Sequence, residues 1–160
     1  MQLILDLGNA PMWRTPRALG MAVRFILQSA VQVNLKLLEI NRLRHRKSGG
    51  RVPLIPPLYL SGVRYQEEPV DWDREHFDTI PVILGRKWGD CDDLAPWRCA
   101  ELIFSGEDRR ANVAVKWKFL PNGKKLYHVV VRRSSGQLED PSRILGMGRN
   151  QKVLAAHAGL

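Results

Sequence analysis

The chain is organised around residues 87–95, KWGDCDDLA. Gly-Asp precedes Cys91, two more aspartates follow it, and an apolar run at helical spacing comes next (Leu94, Trp97, Leu102, Ile103). This pattern predicts a loop that places Cys91 on the first turn of a helix. The N–H groups and the positive dipole end of such a turn stabilise a thiolate, which lowers the pKa of a cysteine below its ordinary value of about 8.5. Cys91 is therefore the candidate nucleophile.

A nucleophilic cysteine needs a base, and the base needs a group that orients it. His128 lies in a strand-like run, residues 126–131, and Asp140 follows in the segment 138–142, LEDPS. A hydrogen bond between Asp140 and one ring nitrogen of His128 would fix the tautomer and leave the other nitrogen facing the sulfur. The order Cys91, His128, Asp140 thus predicts a catalytic triad.

These three segments together resemble one family. GDCDDL at 89–94, a histidine in a β-run at position 128, and EDP at 139–141 resemble the transglutaminase-like branch of the papain-like cysteine enzymes. The chain is especially similar to short transglutaminase-like cysteine peptidases encoded among the virion genes of tailed phages, over roughly residues 59–148. The resemblance implies an α+β fold with a papain-like, transglutaminase-like core, in which the cysteine helix packs on an antiparallel sheet behind a long N-terminal helix.

The resemblance also implies roles for individual residues. Cys91 would be the nucleophile, His128 the base and Asp140 its orienter. In the resembled enzymes a side-chain donor upstream of the cysteine helps the cysteine's own N–H to hold the tetrahedral oxyanion. Gln66 and Tyr65 are the candidates for this donor, and either could equally be an ordinary surface or core residue.

The implied chemistry is cysteine-dependent amide hydrolysis of a protein or peptide, by a peptidase or deamidase, through a thioester acyl-enzyme. The expected setting is phage virion assembly or maturation. Two alternatives stay open: a non-enzymatic phage structural or assembly component that uses the same fold to bind protein, and transglutaminase cross-linking. One feature departs from the family's pattern, because Pro96 stands where the family's helix usually continues unbroken, which predicts a kink or a shorter helix.

A metal site is the weaker interpretation of the same residues. Cys91, Asp90, Asp92, Asp93 and His128 include ligand types, but zinc sites prefer several cysteines or histidines at short spacings. We therefore predict neither a metal nor a cofactor. Asp92 and Asp93 are explained more simply as first-turn acids that compensate the helix dipole, although they would also raise the pKa of the thiol.

Composition bounds the class of protein. The 160 residues suit one domain with one core. Cys91 and Cys99 lie too far apart on one helix to form a disulfide, so Cys99 is expected to be a small buried residue.

A formal charge of +9 favours anionic partners. Binding to nucleic acid would be non-specific, because no zinc-ligand spacing or phosphate loop accompanies the basic residues.

The N-terminal residues do not predict a signal peptide or a membrane anchor. Asp6 interrupts the first apolar run, and no charge-free run approaches membrane-spanning length. We therefore expect no membrane partner, and a location in the host cytoplasm or in association with the virion.

A long N-terminal helix is the other strong pattern. Thr15-Pro16 suits the start of a helix, and SGG at 48–50 ends it after about Lys47. Its apolar residues advance by four and three over about three heptads (Leu19, Val23, Ile26, Ala30, Val33, Leu37, Ile40). The pattern predicts a docking or oligomerisation segment at 1–47, binding virion proteins or a second copy, ahead of a cysteine protease domain at 48–160. The alternative is a helix that breaks near residues 28–34, with both halves folded onto the core.

A hairpin is predicted with strands Asn112–Phe119 and Lys125–Arg132 and with Asn122-Gly123 as its turn. A two-residue turn would set Trp117 opposite His128 and Val115 opposite Val130. His128 would then lie on the large-apolar face of the sheet, which should pack on a helix.

The position of Asp140 depends on the next loop. A three-residue loop at 134–136, with Gly136 in the left-handed conformation, sets Asp140 opposite Val130 and on the same face as His128. A two-residue loop would put Asp140 on the opposite face, so the triad requires the longer one.

Overall fold

The computed structural model describes residues 2–5, 16–68, 75–119 and 125–148. Its helices are α1 (Pro16–Lys47), α2 (Ile80–Arg86), α3 (Cys91–Ser105) and α4 (Pro141–Ile144). Its strands are β1 (Gln2–Leu5), β2 (Arg64–Tyr65), β3 (Glu75–Asp78), β4 (Trp88–Gly89), β5 (Asn112–Phe119), β6 (Lys125–Arg132) and β7 (Leu138–Glu139). Three small sheets result: β1–β3 and β5–β6–β7 are antiparallel, and β2–β4 is parallel. The fold is mixed α+β with a long N-terminal helix.

Helix α1 is continuous over 32 residues. It starts with Pro16 at its first position, where the missing N–H costs nothing, and it ends immediately before the glycine turn at 48–50. The alternative of a break near residues 28–34 is wrong. In the part of the chain that the structure describes, no helix has both the length and the apolar character needed to cross a membrane.

The buried face of α1 packs on α3. Leu27, Val31 and Leu38 lie in the same hydrophobic core as Leu94 and Trp97 of α3. α1 therefore supplies part of the core that surrounds the cysteine helix. The division of the chain between residues 47 and 48 stays a prediction.

The predicted apolar seam of α1 is correct only at its start. Val23 and Ile26 are buried as predicted, but Ile40 is exposed. In the second half the buried positions are Asn34 and Leu38, which are rotated around the helix from the predicted ones. The reason is that a straight α-helix drifts about 20° per heptad away from a strict seven-residue repeat.

The linker after α1 folds back against it. The side chain of Asn41 donates to Pro53 O at 3.0 Å and accepts from Ile55 N at 2.8 Å. His45 Nδ1 lies 2.7 Å from Val52 O. These bonds fix the extended segment that leads into β2.

Helix α3 runs through Pro96 and ends at Ser105, where Gly106 takes the left-handed conformation with φ +79°. The prediction that Pro96 shortens the helix is therefore wrong. Pro96 is buried at the sixth position of α3, where its missing N–H removes the backbone bond to the carbonyl of Asp92 without ending the helix.

The bounds of β5 and β6 are those predicted, but their register is not. Lys116, and not Trp117, lies opposite His128, and Val129, not Val130, lies opposite Val115. Phe119 pairs with Lys125, so five residues connect the last pair of the hairpin. The predicted two-residue turn would instead place an even number of residues between any two paired residues. Since one residue of slip exchanges the two faces of a strand, the face of His128 changes. The turn residues 122 and 123 lie outside the described ranges.

The apolar face of the hairpin is therefore the one that excludes His128. Val129 and Val131 belong to the core that α3 completes, and Tyr127 packs against it. The prediction that His128 shares this face is wrong, because side chains alternate along a strand and His128 lies between two residues of the apolar face.

The predicted register of β6 with β7 is confirmed. Val131 pairs with Glu139, and Gly136 has φ +86° in the loop between the strands. Arg133 N donates to Gln137 O at 2.8 Å, which closes a three-residue loop. Continued by one residue, this register sets Asp140 beside Val130, on the face of the sheet that carries His128.

Candidate active site

Strand β4 delivers the chain into α3, so Cys91 is the first residue of that helix. β4 pairs in parallel with β2, and Gly89 lies opposite Tyr65. Gln66 N donates to Gly89 O at 3.0 Å, which fixes the backbone two residues before Cys91. A Cβ atom at Gly89 would lie 3.2 Å from Cβ of Asp93, so the close approach of the loop to the helix favours glycine there.

A largely buried arginine, Arg86, holds the start of α3. Arg86 donates through its two terminal nitrogens to Asp78 and to Asp93, both with fully buried carboxylates. Asp93 also accepts from Asp78 N at 2.6 Å. The guanidinium lies 3.8 Å from the ring centroid of Trp88 and donates to Trp88 O at 2.8 Å. Asp93 is therefore more than a first-turn acid, because it connects the cysteine helix to β3 and α2.

The two cysteines lie in different environments. Cys91 is half-buried, whereas Cys99 is fully buried in the core. Burial raises the pKa of the Cys99 thiol to about 12, with a smaller contribution from Asp108. The expectation that Cys99 is a small buried residue is confirmed, and Cys91 is the thiol that reagents can reach.

His128 and Asp140 meet directly. Nε2 of His128 lies 2.9 Å from Oδ2 of Asp140. The other oxygen of Asp140 accepts from Arg143 N at 3.2 Å and so caps α4, and the side-chain Nε of Arg143 lies 3.4 Å from Oδ2. With Nε2 bonded to the carboxylate, Nδ1 is the ring nitrogen left for a thiol.

The immediate neighbours of Cys91 and His128 are joined to each other. The hydroxyl of Tyr127, which precedes His128, donates to Oδ2 of Asp92, which follows Cys91, at 2.9 Å. This bond ties the first turn of α3 to strand β6. The start of the cysteine helix is thus tied to strand β6 through the residues next to Cys91 and His128, whereas the His128 side chain itself lies on the other face of β6 from Tyr127.

A second link closes the same region. Tyr65 N donates to Leu145 O at 2.9 Å, which binds β2 to the end of α4. Since α4 begins directly after Asp140, the segments that carry Tyr65, Cys91, His128 and Asp140 form one connected unit.

Asp92 is an unusual residue for a helix start. Its carboxyl group is buried, and burial raises its pKa, with further increases from Asp90, Asp93 and Cys91. A protonated Asp92 no longer opposes a thiolate at Cys91. The expectation that Asp92 simply compensates the helix dipole therefore misses its main property, which is its burial.

Of the two candidates for the oxyanion donor, Tyr65 is the one whose hydroxyl interacts electrostatically with Cys91. Burial raises the pKa of Tyr65, and Glu67, Cys91 and Asp90 raise it further. The hydroxyl keeps its proton at neutral pH and donates it to Glu67 Oε1 at 3.5 Å in this structure, so it would have to turn from Glu67 to serve an oxyanion. Gln66 is placed next to Gly89 by its backbone, and its side chain is half-buried.

Three carboxylates at the start of α3 come close together. Oxygens of Asp90, Asp92 and Asp93 lie within 4.8 Å of one another. Asp93 is already neutralised by Arg86, and Asp92 accepts from Tyr127. Because Arg86 and Tyr127 already bind Asp93 and Asp92, we assign no metal to the cluster.

Sequence reasoning missed the residue before Asp140. Glu139 accepts hydrogen bonds from Tyr59 at 2.5 Å, from Arg98 Nε at 2.6 Å and from Arg133 Nε at 2.8 Å. Arg98 follows Cys91 by seven residues, which is about two helical turns, so it lies on the same side of α3. That spacing was the one signal in the sequence that could have suggested a partner for Glu139.

Comparison with known proteins adds no relative. No protein-family model, no curated protein and no solved structure matches the chain. A functional assignment therefore rests on the residues around Cys91, His128 and Asp140 and on their geometry.

Proposed function

We propose that the protein is a cysteine-dependent amide hydrolase of the transglutaminase-like, papain-like type. Cys91 is the nucleophile, His128 the general base and acid, and Asp140 the group that orients the imidazole. The observation that carries the proposal is the 2.9 Å contact between His128 Nε2 and Asp140 Oδ2, on a strand bonded to the first turn of the cysteine helix. A histidine oriented by a carboxylate activates a thiol when its other ring nitrogen reaches the sulfur, so the proposal requires Nδ1 of His128 to reach Cys91.

The first half of the reaction is acylation. His128 Nδ1 takes the thiol proton of Cys91, and the sulfur attacks the carbonyl carbon of an amide. The oxyanion is held by N–H groups of the first turn of α3, with the Tyr65 hydroxyl or the Gln66 amide as the additional donor. Collapse of the tetrahedral intermediate breaks the C–N bond, and the imidazolium gives its proton to the leaving nitrogen. A thioester on Cys91 results.

The second half resolves the thioester. His128 removes a proton from water, the hydroxide attacks the thioester carbonyl, and the carboxylic acid leaves as the sulfur recovers its proton. An amine in place of water would give transamidation. We favour hydrolysis for a short basic chain, so the activity is that of a peptidase or a deamidase. Its substrate would be a protein or peptide that takes part in phage virion assembly or maturation.

A papain-like core is part of the same proposal. α3 packs against the apolar face of β5–β6, and Asp140 follows β7 in the same sheet. The order helix, hairpin and short third strand is the one that the resembled family implies. The protein would act in the cytoplasm of the host cell or in association with the virion.

A non-enzymatic role is the competing proposal, and the surface of α1 favours it. Phe25 is 72% exposed and Leu43 is 54% exposed, although both are large apolar residues. The last turn of α1 is entirely basic, from Arg44 to Lys47. Such a helix could bind a neighbouring virion protein or a second copy of the chain without any chemistry at Cys91.

Labelling of Cys91 with iodoacetamide between pH 5 and pH 9 separates the two proposals. We expect Cys91 of the hydrolase to react at pH 6 nearly as fast as at pH 8, because the imidazolium stabilises the thiolate. In His128→Gln the rate should rise about tenfold per pH unit, as for an ordinary thiol. His45→Gln is the matched control, because His45 binds the linker after α1 and should leave the profile unchanged.

An ordinary thiol profile in the wild-type protein would reject the hydrolase and favour the binding role. If the profile supports the hydrolase, mass spectrometry of co-purifying proteins, for cleaved chains or for new cross-links, would distinguish hydrolysis from transamidation.

A further inference from the structure

Asp140 is attached to a very short strand. β7 has two residues and pairs with β6 only through Val131 with Glu139 and Arg132 with Leu138. Two residue pairs supply few backbone hydrogen bonds, and short segments with few bonds open easily. Other contacts must therefore hold Asp140 at the position where it meets His128.

Glu139 supplies these contacts. Its carboxylate is only 13% exposed and receives three donors at once, the Tyr59 hydroxyl and the Nε atoms of Arg98 and Arg133. Arg133 makes a second contact to Glu139 through a terminal nitrogen. Hydrogen bonds between two charged groups are shorter and stronger than neutral ones, so this cluster is a rigid attachment point for β7.

The cluster connects the two halves of the candidate site. Arg98 is 15% exposed and lies on α3, the helix that begins with Cys91. Glu139 and Asp140 are consecutive in the chain, so contacts that fix Glu139 also restrict the position of Asp140. The Arg98–Glu139 pair therefore sets how far the nucleophile helix stands from the strand that carries the orienting carboxylate.

The other bonds of Arg98 keep its guanidinium in place. The guanidinium carbon of Arg98 lies 5.0 Å from the ring centroid of Tyr59, and its Nη1 lies 3.3 Å from Glu101 Oε2. Burial alone would raise the pKa of Glu139, but the hydrogen bonds from Tyr59, Arg98 and Arg133 outweigh it and lower the pKa. Glu139 is thus ionised over the whole range in which a thiol–imidazole pair would work.

We infer that Glu139 is a positioning residue that, through Arg98 and Arg133, holds Asp140 in contact with His128. The inference rests on the proposed function, because positioning matters only if His128 serves Cys91. It assigns no contact with substrate to Glu139.

Glu139→Gln tests the inference, and Glu107→Gln is its matched control. Glu107 is 55% exposed and contacts the same two arginines, with oxygens 2.9 Å from Arg133 Nη1 and 3.8 Å from Arg98 Nη2. Both variants remove one acid from the same cluster, but only Glu139 lies on β7. A general loss of charge would affect both variants, whereas loss of positioning would affect Glu139→Gln alone.

Two measurements are made on each variant. The first is the rate of Cys91 alkylation at pH 6 relative to pH 9.5, where any thiol is largely ionised. We expect Glu139→Gln to lower the rate at pH 6 about tenfold and to leave the rate at pH 9.5 within about twofold, with Glu107→Gln unchanged at both. The second is the NMR signal of the His128 ring N–H that bonds to Asp140. We expect this signal to lose its protection from exchange in Glu139→Gln only.

Equal behaviour of the two variants in both measurements would overturn the inference. If Glu139→Gln does not fold, Tyr59→Phe removes a single hydroxyl from the cluster and should lower the pH 6 rate about threefold, and no change in that variant would also overturn it. Failure of the proposed function gives a different result: the wild-type cysteine reacts as an ordinary thiol, while the His128 ring signal still reports whether Glu139 positions Asp140.

Discussion

Asp140 uses its two carboxylate oxygens for two different purposes. Oδ2 lies 2.9 Å from Nε2 of His128, and Oδ1 accepts from Arg143 N at the start of α4. One oxygen therefore orients the His128 ring and the other caps α4. A variant that keeps the helix cap but lacks the negative charge of Asp140 would distinguish these two roles.

Asp140→Asn is that variant. Asparagine caps helices about as well as aspartate, so we expect the free energy of unfolding to change by less than about 1 kcal/mol. A neutral amide stabilises the imidazolium far less than a carboxylate does, so the rate of Cys91 alkylation at pH 6 should fall about tenfold or more. Denaturant unfolding and alkylation on the same preparation measure the two effects. A variant that retains the pH 6 rate would show that Asp140 has only the capping role.

The two cysteines should differ in reactivity by more than exposure alone explains. Burial raises the pKa of Cys99 to about 12, so almost no Cys99 is a thiolate at pH 7. We expect iodoacetamide at pH 7 to modify Cys91 alone in the folded protein and to modify both residues in concentrated urea. Peptide mass spectrometry locates the label. Modification of Cys99 in the native protein at a rate near that of Cys91 would contradict the packing of α3.

Local patterns predicted α1, α3 and the strands β5 and β6 well. Proline and glycine mark both ends of α1, and the bounds of β5 and β6 agree with the predicted strands, because capping and alternation are properties of neighbouring residues. The glycine loop at 134–136 gave the correct side for Asp140 for the same reason. The triad residues were therefore accessible from the sequence as candidates.

Relations between distant segments were not accessible. His128 was placed on the wrong face because its register depends on a five-residue connection, whose length no local pattern sets. The parallel pairing of β2 with β4 joins residues more than twenty positions apart. Each of these strands has only two residues, which is too few to show an alternating hydrophobic pattern. The Glu139 cluster joins one neutral and three charged side chains from separate segments (Tyr59, Arg98, Arg133 and Glu139), and polar residues carry no periodic signal of burial.

Arg86 offers a test of how the cysteine helix is anchored. Arg86→Met would leave the carboxylates of Asp78 and Asp93 buried without their cation, and removal of one partner from a buried ion pair costs about 3–5 kcal/mol. Lys36→Met is the matched control, because the Lys36–Glu39 pair is exposed and such pairs contribute about 0–1 kcal/mol. Urea unfolding of both variants gives the comparison. Similar small losses in the two variants would mean that the anchor does not depend on Arg86.

Asp92 should make the protein less stable as the pH rises. Its pKa in the folded chain is raised, first by burial and then by Asp90, so above the unfolded value of about 3.9 the folded state binds more protons than the unfolded state. By linkage, the free energy of unfolding then falls with increasing pH, from about pH 4 up to the folded pKa. Asp92→Asn does not titrate and can still accept from Tyr127, so its stability relative to wild type should increase over that range.

Asp108→Asn is the control of opposite sign. Hydrogen bonds from Ser134 N and Arg110 N lower the pKa of Asp108, so its ionised form stabilises the fold above about pH 4 and this contribution is lost as the pH falls. Asp108→Asn should therefore be less stable than wild type at pH 7, with a difference that shrinks in acid. Thermal unfolding of the three proteins at about pH 2.5, 4, 5.5 and 7 measures both trends, because the Asp108 contribution is lost only below about pH 4. If the difference between Asp92→Asn and wild type does not vary with pH, Asp92 is ionised in the folded protein, and its negative charge then opposes a thiolate at Cys91.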